Sequence, residues 1–293
     1  MKKLFFIPVI LSIIFTVLFT ACNRNPITGQ SNMAFVSNSV LFPISFRQYE
    51  EFISENTIVK GTPEAEMVQR VGNRIRAAAE SFLAFQGDAN YLDDYEWEFH
   101  LILSDEINAW VMPGGKIVIY TGILALSLDE DGLAVIMGHE IAHAILNHGQ
   151  QRMSASLLQE LVRLGIYIGT TALDLSAETQ ALIMAAYGIG SELGGILPFS
   201  RAHENEADYY GLILMSIAGY NPQAAVSFWE RMAALDGEGG FEWLSTHPSN
   251  ENRAREIEDR IPETREIANN VTLFIEENPE NSPEKLMLQG SVK

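Results

Sequence analysis

His139-Glu140-Ile141-Ala142-His143 decides how this chain is read. On a helix, residues four apart leave the same face. Both imidazoles can therefore grip one metal ion, with Glu140 beside the bound water. The preceding Leu133-Ala134-Val135-Ile136-Met137-Gly138 is apolar, as a buried helix of this kind requires. Ser127 and Glu130 have the spacing of a capping box, and the helix is expected over about 128–147. Such a pentapeptide arises by chance in about one unrelated chain in a hundred. The reading therefore turns on a third ligand.

A hydrolytic zinc site takes three protein ligands and keeps one position open. The candidates are His148, a carboxylate or histidine among residues 203–208, His247 and His100. His148 lies nine residues after His139, about 180° around the helix at 100° per residue. It reaches the same metal only if the helix breaks first. One zinc-protease pattern does break, at a glycine seven residues after the first histidine, and ligates through a histidine ten after it. Those positions here hold Leu146 and Gly149, so that pattern is absent. His148 then reads as a polar residue at the helix end, where a cation suits the dipole.

The stretch Ser200-Arg201-Ala202-His203-Glu204-Asn205-Glu206-Ala207-Asp208 is richer. Glu204 and Asp208 are four apart and share a helical face. One can ligate while the other accepts a hydrogen bond from a ligating histidine, fixing its ring. Glu206 falls on another face. Arg201 could pair with Asp208 or another buried carboxylate, or lie at the surface. Alone, the cluster would read as a solvated charged face.

The N-terminus concerns location. Lys2 and Lys3 precede an uncharged run from Leu4 to Ala21, followed by the only cysteine, Cys22. This is the pattern of an export signal. The run is about long enough for a membrane anchor, but Pro8 interrupts it and Thr20-Ala21 supplies small residues before Cys22. Leu18-Phe19-Thr20-Ala21-Cys22 resembles a bacterial lipoprotein cleavage box, with Phe19 where an aliphatic residue is usual. The resemblance implies that Cys22 bears lipid. Acylated there, it leaves no disulfide within one chain.

The chain has 293 residues, 47% of them hydrophobic, enough for one sizeable core or two small ones. Its formal charge of −19 becomes −21 without Lys2 and Lys3. Such acidity argues against nucleic-acid partners and against anionic lipid surfaces, so a lipid at Cys22 is the expected membrane tether. Thr62-Pro63 should open a helix with apolar Met67, Val68, Val71, Ile75 and Ala78. Alternation from Tyr95 to Leu103 predicts a strand, and Lys116 to Tyr120 a second, entered through Pro113-Gly114-Gly115. The apolar, Gly-rich segment from Leu161 to Pro198 should form buried or site-covering helices. Further helices are expected from about Arg201 to Ala218 and from about Pro222 to Leu235. Nothing in the sequence sets an oligomeric state.

The motifs together resemble the M48 family of zinc metallopeptidases, in its Oma1-like branch, which includes bacterial lipoproteins. They are His139-Glu140-Ile141-Ala142-His143 with Asn147-His148-Gly149, then Ser200-Arg201-x-x-Glu204-x-x-Ala207-Asp208, then Thr246-His247-Pro248. Asn108-Ala109-Trp110, Pro113-Gly114-Gly115 and Thr121-Gly122 match the family's strand before the metal-binding helix. The resemblance implies an α+β fold: a mainly helical zincin-like domain with a small β-sheet beside that helix. It implies one zinc per chain on His139, His143 and Glu204, with Asp208 behind them. Glu140 would be the general base. His247 would hold the oxyanion or cap the zinc in a resting state.

The implied organisation is a signal peptide at 1–21, a lipidated tether at 22–38, a peptidase domain at 39–262 and an acidic, flexible tail at 263–293. The strand Lys116-Ile117-Val118-Ile119-Tyr120 would accept a peptide as an added strand. The expected function is cleavage of unfolded or misassembled proteins in a bacterial envelope, from an outer-membrane anchor facing the periplasm. The alternative is an envelope chaperone or assembly factor on the same fold, with little proteolysis.

Overall fold

The computed structural model describes residues 22–172, 176, 192–235, 247 and 252–290. A short hairpin, β1 (Cys22–Arg24) and β2 (Ser31–Met33), leads into α1 (Asn38–Glu55) and α2 (Pro63–Gln86). Three strands follow: β3 (Glu98–Ile102), β4 (Ala109–Met112) and β5 (Lys116–Tyr120). Then come α3 (Thr121–Ser127), α4 (Glu130–Ile145), α5 (His148–Ala172), α6 (Glu192–Ile217), α7 (Gln223–Leu235) and α8 (Arg253–Glu277). A 3-10 turn at Pro279–Asn281 and α9 (Pro283–Gly290) complete the described chain. This is the expected α+β architecture, helices around one small sheet.

The central helix is α4. Its start differs from the expected capping box. Asp129 is the cap, its carboxylate accepting from the Gly132 amide at 2.9 Å, while the Ser127 hydroxyl donates to the Leu124 carbonyl at 2.9 Å. Glu130 and Asp131 then face the positive end of the helix dipole. Leu133, Ile136, Met137, Ile141 and Ile145 are fully buried. Each contributes about 1.5–3 kcal/mol at most, and together they leave α4 little freedom. The helix ends because Asn147 adopts a left-handed backbone, φ 58°. The side chain of Asn147 holds that conformation by donating to the Tyr91 hydroxyl at 2.6 Å and accepting from Asn38 at 3.1 Å.

α6 packs directly on α4. The contact is made at two glycines: a β-carbon on Gly138 would lie 2.8 Å from the Gly211 carbonyl oxygen, and one on Gly211 3.0 Å from the His139 amide nitrogen. Any side chain there would push the helices apart. α2 lies on another side of α4, opened as expected by the Thr62 hydroxyl accepting from Ala65 at 3.2 Å. α6 stops near Gly219, which has φ 82°.

The sheet order is β3-β5-β4, with β3 parallel and β4 antiparallel to β5. This corrects one expectation. Lys116, Ile117, Val118, Ile119 and Tyr120 form the central strand, buried throughout and paired on both sides, so they cannot accept a further strand. The outer side of β3 is partly taken by the chain at 57–59, with Val59 donating to Leu101 at 2.8 Å and Leu103 to Thr57 at 2.9 Å. Among the described residues, the free edge is β4. The first expected strand is also shorter than its alternation implied, since Leu103 is exposed and Tyr95 enters the core beside α4.

Two loose segments prove ordered. In the stretch 22–38, read as a tether, Ile27 is buried in the main core and Asn25 closes the hairpin turn. In the stretch 263–293, read as a flexible acidic tail, the described residues 263–290 continue α8 beyond Pro262 and add α9, packed on α2. Ile257, Ile261, Thr264, Ala268 and Val271 form its buried face. Acidic residues on the solvent side masked that periodicity. Of the predicted covering segment 161–198, residues 173–175 and 177–191 lie outside the described residues; the rest is the end of α5, residue 176 and the start of α6. Among the described residues no helix is long and apolar enough to cross a membrane.

Candidate metal centre

α4 and α6 bring His139, His143 and Glu204 to one point, and His247, from neither helix, joins them. Donor atoms of His139, His143, Glu204 and His247 all lie within 4.8 Å of one another. Nε2 of His139 and Nε2 of His143 are 3.0 Å apart. Glu204 stands 3.3 Å from each of those nitrogens, using a different carboxylate oxygen for each. Nδ1 of His247 is 3.2 Å from Nε2 of His139 and 3.1 Å from Glu204 Oε1. Tetrahedral zinc with bonds of about 2.0–2.1 Å separates its donors by roughly 3.3 Å. The donor set and its spacing both fit such an ion.

The surroundings prepare those donors. Nδ1 of His139 is 3.0 Å from Asp208 Oδ1, so the ring donates outward and presents its Nε2 lone pair inward. Asp208 is gripped by Arg253, Nε to Oδ2 at 2.7 Å and Nη2 to Oδ1 at 2.8 Å. Arg253 also stacks 3.4 Å from the Trp229 ring centroid and reaches Glu204 at 3.3 Å. Glu140 is fully buried, with Oε1 3.5 Å from Nε2 of His247.

The electrostatics ask for a cation. Burial works against a charged His139, yet the Glu204 and Asp208 carboxylates outweigh it and raise its pKa to about 9. Burial also disfavours the charged forms of Glu204 and Asp208. His139 and His143 nevertheless hold Glu204 well below the usual carboxylate range, and Arg253 with His139 lowers Asp208. Burial keeps His143 neutral, lowering its pKa. Two carboxylates that hold a proton on His139, beside a His143 kept neutral, are what a dication stabilises in that proton's place.

A cleft of about 330 Å³ opens onto this point, lined by Trp110, Val111 and Met112 of β4 together with Glu140, His143 and His247. A larger hollow of about 530 Å³ near Lys60, Gln69 and His100 contains none of the four clustered residues. His100 is thereby removed from the ligand candidates; its Nδ1 lies 2.6 Å from the Tyr49 hydroxyl. Arg201 does not serve Asp208. It is exposed, two helical turns and about 10 Å along the axis from that carboxylate. Arg253 takes the place expected of it. Nothing in the sequence marked Arg253 beyond its nearness to His247.

Buried histidine and glutamate on a helix, with a glutamate from a second helix and a cleft beside them, define a zinc metallopeptidase. The chain belongs to Peptidase family M48, which it matches over residues 67–261. It is 34% identical over 250 residues to the mitochondrial metalloendopeptidase OMA1 of Schizosaccharomyces pombe, covering 84% of this chain and 68% of that one. It is 31% identical over 257 residues to the mitochondrial metalloendopeptidase OMA1 of Bos taurus, covering 85% of this chain and 48% of that one. To the metalloprotease YcaL of Escherichia coli it is 27% identical over 207 residues, 69% of this chain and 74% of that protein. These likenesses put the chain in the Oma1-like branch. It spans about half the length of the bovine relative.

Proposed function

We propose that the chain is an endopeptidase of the bacterial envelope, held to a membrane by lipid on Cys22, that cleaves unfolded or misassembled proteins. The observation that carries the peptidase reading is the four-residue cluster with Glu140 at the floor of the cleft. His139, His143 and Glu204 would hold zinc, which supplies Lewis-acid activation of water and of the peptide carbonyl. Glu140 takes the proton of the attacking water and returns it to the departing amine. Asp208 and Arg253 keep His139 oriented. The free edge of β4 would bind an extended peptide by backbone hydrogen bonds, which favours unfolded substrates and demands little sequence. The export signal before Cys22 supports the envelope location.

His247 occupies a fourth donor place as the site stands, which favours a capped resting form. Once displaced, its ring would lie near the oxyanion. Two measurements on the full-length protein, zinc content and cleavage of an unfolded protein, test the reading alongside Glu140→Gln. One zinc per chain with cleavage lost in the variant is the expected result. A folded protein without zinc overturns it. Zinc with equal binding of unfolded protein but no cleavage in either form supports the chaperone reading instead.

A further inference from the structure

His143 carries a second hydrogen-bonding system on its outer side. Its Nδ1 lies 2.8 Å from Nδ1 of His148, with the two rings at 75°. Nε2 of His148 lies 3.2 Å from Glu206 Oε2. His148 is 1% exposed and stacks on His203, ring centroids 4.3 Å apart at 14°. Nε2 of His203 is 3.2 Å from Gln151 Oε1, which fixes the far side of that stack.

The break at Asn147 makes this possible. On a continuous helix His148 would face away from the donors. The left-handed Asn147 starts α5 in a new direction and turns the His148 ring back onto His143. His148 therefore does not ligate, but it touches a residue that does.

The chemistry allows one consistent proton arrangement with metal bound. Glu206 is an acceptor, so Nε2 of His148 carries the proton. Nδ1 of His148 is then a bare acceptor. The two facing Nδ1 atoms need one proton between them, and His143 must supply it. Nε2 of His143 is left with its lone pair aimed at the donor cluster, where it meets His139 and Glu204. His139 obtains the same tautomer directly from Asp208.

We propose that His148 and Glu206 are positioning residues for zinc, a histidine–carboxylate relay that fixes the tautomer and tilt of His143. The proposal rests on the zinc-peptidase reading of the cluster. Outer hydrogen-bond partners of ligating histidines typically contribute 10–100-fold in metal affinity.

The test is zinc affinity of the full-length protein, measured by competition with a chromogenic chelator. His148→Phe keeps the stack on His203 but removes the acceptor, and should weaken zinc binding about 10–100-fold. His148→Asn places an amide oxygen where Nδ1 stood and should restore most of that loss. Unchanged affinity in a folded His148→Phe overturns the relay while leaving the metal site standing. A wild-type protein that binds no zinc overturns the site itself, and the relay with it. Should His148→Phe fail to fold, nitrogen NMR of the zinc-loaded wild type decides. The relay requires protons on Nδ1 of His143 and Nε2 of His148, and a proton on Nδ1 of His148 overturns it.

Discussion

Arg253 grips Asp208 through two hydrogen bonds of 2.7 and 2.8 Å, and both residues are buried against Trp229 and His139. The pair joins α8 to α6 directly behind a ligand candidate. Loss of one partner leaves the other charge buried and uncompensated. Arg253→Met should therefore cost about 3–5 kcal/mol of stability and weaken zinc binding. Arg253→Lys should rescue little, because a point charge cannot make the paired contact. Thermal unfolding and chelator competition would check both. Wild-type stability in Arg253→Met would remove the pair from the account.

The Gly138–Gly211 contact makes a second prediction. Gly138→Ala introduces a β-carbon 2.8 Å from a backbone oxygen of α6. The neighbour is backbone, so the helices must separate. A loss of about 1–3 kcal/mol is expected, and Glu204, two turns away on the same face of α6, should move from the histidines. Reduced zinc retention together with a lower unfolding midpoint would bear this out. Gly87→Ala, with open space around its β-carbon but φ 89°, should lower the midpoint without affecting zinc.

The metal-free protein should respond to pH in two directions. His139 is raised to about 9 against its burial by Glu204 and Asp208. Its contribution is full below pH 6.5 and is lost as pH rises through 9. His203 is pushed down to about 3, chiefly by burial. Its contribution is full above pH 6.5 and is lost as pH falls towards 3. Stability of the chelated protein should therefore peak near pH 6.5. Zinc replaces the His139 proton, so binding at pH 7.5 should release about one proton. Calorimetry in two buffers of different ionisation enthalpy reads that number, and zero release would mean a neutral His139.

His247 offers a fourth test. If it caps the donor cluster, His247→Ala should raise cleavage of an unfolded protein several-fold and leave one zinc per chain. A loss of cleavage of about 10²-fold or more would assign it to the oxyanion instead. Steady-state rates at saturating substrate separate the two.

Much of this was legible in the chain. The helical spacing of His139 and His143, the shared face of Glu204 and Asp208, and the turn residues at Thr62 and Gly219 act over one or two helical turns. Local geometry suffices for them. The misses have separate causes. The capping residue was taken as Ser127 because two caps lay within three residues. The tail was taken as loose because charge hid a buried stripe. Lys116 to Tyr120 was taken as an edge because strand order is set by distant pairing.

Composition and short-range pattern were enough to establish an acidic, mainly helical protein built on a metal-binding helix, because periodicity and ligand spacing are properties of consecutive residues. Which strand lies at the edge, which arginine holds Asp208, and how His148 turns back onto His143 were decided only in the folded chain. Those relations depend on segments far apart in sequence whose approach is set by core packing and by a helix break at Asn147.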